Sequence, residues 1–198
     1  MKYEIGVKTE SLPIYSLVPD YFDNADTEEE EDGSRGKKRG LWPLPGGINS
    51  YVETLFTMLD AVAAGTMTKT DYVRWLMATF EQVRSEKTAN GYVNVPRSIG
   101  LTTVVEGKIR LTPDGERVRE SKDRDILFGI LAKNILGIDE IMEFLKTTQE
   151  PQTEANVLAF LKENLGVEWT TFAQVNFRLM WLVNLRRVQR LEGGYKLV

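Results

Sequence analysis

Neither cysteine nor histidine occurs anywhere in the 198 residues. Without cysteine there is no disulfide and no thiolate nucleophile, which suits a reducing compartment. Without histidine there is no Ser-His-Asp or Cys-His arrangement and no zinc site that needs imidazole. Long apolar runs are also missing. The uncharged stretches fall far short of the ~20 residues that cross a bilayer, and Met1–Lys8 does not open a signal peptide. A cytoplasmic protein with no membrane partner is expected. Carboxylates acting on a hard cation such as Mg²⁺ are the metal chemistry left open.

What is present is ordinary globular composition, 42% hydrophobic and 27% charged, with an uneven distribution of charge. Asp20–Asp32 holds eight acidic residues and no basic one. Setting those eight charges aside turns a net −4 into +4, so a mildly basic fold carries an acidic tail. Residues 1–47 lack a sustained helical period. They contain this run, the basic cluster Lys37, Lys38 and Arg39, and the stretch L-W-P-L-P-G-G. Such blocks predict an irregular arm, partly disordered or draped over the fold, with a short strand possible only around Val7–Val18.

From Ile48 onward the periodicity changes. Tyr51, Leu55, Met58, Leu59 and Val62 recur at helical spacing up to Gly65. Thr68 then caps a helix with a stripe of Tyr72, Val73, Leu76, Met77 and Phe80. A third helix over Lys87–Ile99 is interrupted by Asn90-Gly91 and Pro96. L-T-T-V-V, E-G-K and I-R-L follow as a hairpin, and Thr112-Pro113-Asp114 opens another helix. Residues 122–198 repeat the pattern. Helices are expected over Asp125–Ile135 and Ile138–Lys146, a third is capped by Thr153, and a fourth by Thr170 or Thr171. R-R-V-Q-R-L-E-G-G-Y-K-L-V closes the chain as two short strands. The fold class is therefore mainly α with small β wings (α+β). It comprises two tandem winged-helix modules, residues 48–121 and 122–198, behind the N-terminal arm of residues 1–47.

Glu106-Gly107-Lys108 has the Glu-x-Lys spacing of metal-dependent nucleases. That chemistry needs a core strand and a second carboxylate beside it. Gly107 instead puts the triplet at a hairpin tip, and the closest upstream carboxylates, Glu81 and Glu86, lie on or beside a helix. The wing is the better reading. No catalytic residue, metal or cofactor is expected.

Ala173–Leu197 resembles the last helix and wing of winged helices attached to prokaryotic restriction enzymes, and I-R-L-T-P-D-G-E-R-V resembles their wing-to-helix junction. The tandem order is similar to the DNA-recognition part of type IIS (FokI-type) restriction endonucleases, and to modules fused to McrB-like restriction ATPases and Mrr-like nucleases. The resemblance covers about Ile48–Val198. It implies a non-catalytic, double-stranded-DNA-binding recognition module of a restriction or anti-phage system, partnered by a nuclease or ATPase subunit. No G-x-x-x-x-G-K-[ST] phosphate loop is present.

A recognition helix reads base edges from its N-terminal half. In the second module it begins at Thr171. Phe172, Val175, Leu179 and Leu182 are expected on the core, and Gln174, Phe177, Trp181 and Asn184 face away. Gln174 suits adenine, Arg178 guanine or phosphate, and Phe177 a pyrimidine methyl or a base step. Arg186, Arg187, Arg190 and Lys196 suit phosphates. In the first module the candidates are Arg84, Lys87, Asn90, Asn94 and Arg97 around the interrupted helix. Lys37, Lys38 and Arg39 follow a minor groove or backbone, or pair with the acidic run. The blander alternatives are that Phe177 and Trp181 pack on the first module, and that Gln174 and the basic wing are simply solvated. The rival functions are a protein-interaction subunit that binds through those aromatics, and a transcription regulator.

Overall fold

In the first half of the described chain, three of the four helices begin where a hydroxyl takes a free backbone N–H. The computed structural model describes residues 40–198; the acidic run, Lys37, Lys38, Arg39 and Val7–Val18 lie outside the described residues. Helix α1 (Tyr51–Ala64) is followed by β1 (Met67–Thr68) and α2 (Lys69–Thr79). Thr68 Oγ1 accepts from Asp71 N while Asp71 Oδ2 accepts from Thr68 N, a reciprocal capping box. Ser85 caps α3 (Glu86–Ile99), accepting from Thr88 N.

Helix α3 is continuous through Asn90-Gly91 and Pro96, where the sequence predicts interruption. Pro96 lies in the closing turn. Its missing N–H therefore costs one late bond, and the helix stops at Gly100 with φ +94°, where Leu101 N donates back to Pro96 O. Strands β2 (Thr102–Val105) and β3 (Lys108–Leu111) form the expected hairpin, with Glu106 at φ 52° and Gly107 at φ 72° as a two-residue turn. Strand β1 joins the free side of β3, giving a three-stranded antiparallel sheet in the order β1-β3-β2. Thr112 then caps α4 (Pro113–Ser121), as its spacing predicts.

The second half runs α5 (Arg124–Asn134), α6 (Ile138–Thr147), α7 (Glu154–Leu165), α8 (Ala173–Asn184), β4 (Val188–Leu191) and β5 (Gly194–Leu197). Gln152, between α6 and α7, pairs with Tyr195 of β5 through two backbone hydrogen bonds of 2.8 and 2.9 Å. The order α1-β1-α2-α3-β2-β3 thus recurs as α6-bridge-α7-α8-β4-β5, and each time the short first strand pairs with the last. The molecule is mainly helical, with small antiparallel sheets. No helix among the described residues is long and apolar enough to cross a membrane.

The two halves share one core. Leu41, Pro43, Leu44 and Pro45, placed by sequence in the arm, are buried. Trp181 Nε1 donates to Trp42 O at 3.0 Å, and Thr54 Oγ1 donates to Pro45 O at 2.9 Å. The apolar character of L-W-P-L-P explains why this end of the arm is draped on the fold: four side chains that bury well cannot stay in water at no cost. Tyr51 on α1 meets Trp181 on α8 with ring centroids 5.4 Å apart, and Asn134 on α5 donates to Ile99 O at the end of α3.

Candidate nucleic-acid interface

Helices α3 and α8, each leading into a hairpin, are where the sequence places base readers, and the structure treats the two helices oppositely. On α3 the apolar residues Ala89, Tyr92, Val93, Val95, Pro96 and Ile99 are buried. Lys87, Asn94 and Arg97 are exposed and Asn90 is half-exposed. Their spacing of three, four and three residues puts them in one stripe along the helix. Asn90 Nδ2 donates to Glu86 O at 2.9 Å, which steadies the amide against the first turn. Arg84 is exposed just ahead of the Ser85 cap. All five first-module candidates therefore come together on or at the entry of one helix.

The neighbouring hairpin adds cations that the sequence reading did not count as binders. Thr103 pairs across the ladder with Arg110, and Val105 with Lys108. Because side chains alternate along a strand, these four share one face, and all four are exposed. The signal was available in the alternation of T-T-V-V and K-I-R-L, where Ile109 is the buried residue. Glu106 and Lys108 stand at an exposed tip, not on a core strand.

Charge here is local. Residues 40–198 carry 19 basic and 19 acidic residues, so the described fold as a whole is balanced. Between Arg84 and Arg110 the cations Arg84, Lys87, Arg97, Lys108 and Arg110 face only two carboxylates, Glu86 and Glu106. The surplus falls on α3 and the β2–β3 hairpin.

Helix α8 overturns the outward assignment of its residues. Gln174, Phe177, Arg178 and Trp181 are buried, Arg178 and Trp181 completely, whereas Phe172, expected in the core, is 48% exposed. Arg178 donates from Nε to Leu136 O at 2.6 Å and from Nη1 to Gln174 Oε1 at 2.7 Å and Gln174 O at 2.8 Å. Its guanidinium lies 4.3 Å from the Trp169 ring centroid. Phe177 packs at 6.3 Å from Trp42. Asn184 donates to Ile48 O and accepts from Tyr51 N at 2.9 Å, so it caps α1 from another element. The physical reason is that A-Q-V-N-F-R-L-M-W-L-V-N carries large apolar residues around most of its circumference, with its buried polar groups Gln174 and Arg178 bonded to each other. A helix of that kind is enclosed, not surface-mounted. No family model matches the chain, and no curated protein or solved structure matches it either.

The remaining second-module candidates are scattered. Thr171 is exposed at the entry to α8, where Ala173 N donates to its Oγ1 at 3.4 Å, but Phe172 takes the cap position that the sequence assigns to Thr170 or Thr171. Arg187 is committed inward, paired with Asp125 and 4.8 Å from the Phe128 ring centroid. Arg186 is exposed at φ 59°, just past the end of α8. Arg190 is exposed 5.9 Å from the Tyr195 ring, and Lys196 is half-exposed opposite Gln189.

Proposed function

We propose that the chain is a non-catalytic double-stranded-DNA-binding protein, built as two winged-helix units, that binds through the first of them. Helix α3 enters the major groove, and the β2–β3 wing lies on the adjacent backbone. The observation that carries this reading is the stripe of exposed Lys87, Asn94 and Arg97 and half-exposed Asn90 on α3, followed in the chain by a hairpin with the exposed cations Lys108 and Arg110. Asparagine suits the N6/N7 edge of adenine, arginine the O6/N7 edge of guanine, and lysine a phosphate. The repeated helix-strand-helix-helix-hairpin order supports the winged-helix assignment. The resemblance of Ile48–Val198 to restriction-enzyme recognition modules supports a place in a restriction or anti-phage system, with a nuclease or ATPase subunit supplying the chemistry. A protein-docking patch on Phe177 and Trp181 has no such support, since both are buried.

The test is retention of the full chain on random duplexes, methylated and unmethylated, with Mg²⁺ at two salt concentrations, followed by a check for cuts. Enrichment without cutting is expected, with affinity falling as salt rises because phosphate contacts release counterions. Equal retention at both salts, or none, refutes the proposal. Cutting refutes its non-catalytic part.

A further inference from the structure

The two halves repeat one order of elements but differ in what α3 and α8 offer. Building on the duplex-binding reading above, we infer that the protein has a single reading head. Each chain therefore reads one short block of duplex, not a tandem pair of half-sites.

Helix α3 offers four polar side chains in a stripe ten residues long. At 1.5 Å per residue this stripe covers roughly 15 Å, or about four to five base pairs at 3.4 Å each. Helix α8 offers nothing comparable. Gln174, Val175, Phe177, Arg178, Leu179, Met180, Trp181 and Leu182 are all buried. Its less buried positions are Ala173, Asn176, Val183 and Asn184, and Asn184 is spent on Ile48 and Tyr51. Asn176 is then the one polar side chain left for a groove, and one amide does not define a half-site.

The covering of α8 also belongs to the fold. Trp42, Tyr51 and Trp169 lie against it from three different segments, so uncovering the helix means opening the core that joins the two halves. Past the end of α8 the second half exposes the cations Arg186 and Arg190 and half-exposes Lys196, with the exposed carboxylate Glu192 in the same hairpin. Those cations suit backbone contact beside the reading head, which holds the duplex without adding sequence information. A tandem pair of half-sites read by a single chain needs two heads, and among the described residues the fold supplies one.

The deciding experiment selects duplexes with the full chain. The enriched duplex is then footprinted, and chains per duplex are counted by sedimentation. One block of about four to five base pairs per bound chain is expected. Asn94→Ala, at an exposed position, should change the preferred bases in that block. Arg190→Ala with Lys196→Ala should weaken all duplexes by a common factor. Two blocks per bound chain, or a second block whose preference disappears in Asn176→Ala, overturns the inference and leaves duplex binding intact. Retention with no enriched sequence overturns it in favour of backbone binding alone. No retention at low salt overturns this inference together with the reading it rests on.

Discussion

Arg178 shows how far a single residue's role depends on surroundings that the chain does not state locally. Between Asn176-Phe177 and Leu179 it resembles a flank residue able to reach a base. In the fold it is fully buried, hydrogen-bonded to Leu136 and Gln174, and held against Gly137, where an added Cβ would sit 3.2 Å from its Nε. A lysine lacks the planar fork that makes those bonds together. Arg178→Lys should therefore cost about 2–4 kcal/mol in urea unfolding, with the base preference of the remaining folded protein unchanged. A shift in preference without loss of stability would return Arg178 to the DNA. Gly115 is constrained in the same way. A Cβ there would stand 2.0 Å from Leu101 O, against backbone that cannot give, so Gly115→Ala should destabilise by about 1–3 kcal/mol or more. Titration adds a third expectation. Burial raises the phenol pKa of Tyr72, and burial next to Glu154 raises that of Tyr195 to about 12. Both folded values exceed the ordinary tyrosine value of 10.0, so their contribution is complete below that pH. It falls as the pH rises above it, because the unfolded phenols ionise first. Tyr195→Phe should flatten the alkaline loss of stability between pH 10 and about 12. An unchanged profile would exclude it as a source.

At the scale of elements, the sequence was most legible where one local device fixes the backbone. Thr68, Thr112 and Thr153 each cap the helix predicted for them, and Glu106-Gly107 makes the predicted turn. Helix α3 was less legible. Glycine and proline argue against a helix, yet Pro96 falls late enough to be tolerated and the buried face of α3 pays for Gly91. This is the element on which the functional proposal turns. Arg97→Ala should lower duplex affinity by about 1–3 kcal/mol if Arg97 reads guanine, relaxing preference at one position. Lys108→Ala with Arg110→Ala should instead weaken all sequences alike and reduce the slope of log affinity against log salt by about 0.9 per lost phosphate contact. Affinity and slope unchanged in both variants would remove α3 and its wing from the interface.

For the whole molecule, the repeat suggests two modules, but the packing makes one body. The described residues fall within a single compact unit. Trp181 ties α8 to α1 and to the Leu41–Pro45 segment. Thermal unfolding should accordingly be one transition whose calorimetric and van't Hoff enthalpies agree. Trp181→Ala should lower stability by about 3–5 kcal/mol and destabilise both halves together. Two separable transitions would mean that the halves fold independently. By itself the sequence determined the helical class, the Thr68, Thr112 and Thr153 caps, both hairpins and the repeated order, because these follow from spacing and from residues that act on neighbours a few positions away. The tertiary structure alone decided which of α3 and α8 meets solvent. Both α3 and α8 can form as helices from their own residues, but which face of each is covered depends on Trp42, Tyr51 and Leu136, side chains and carbonyls that the fold brings from far along the chain.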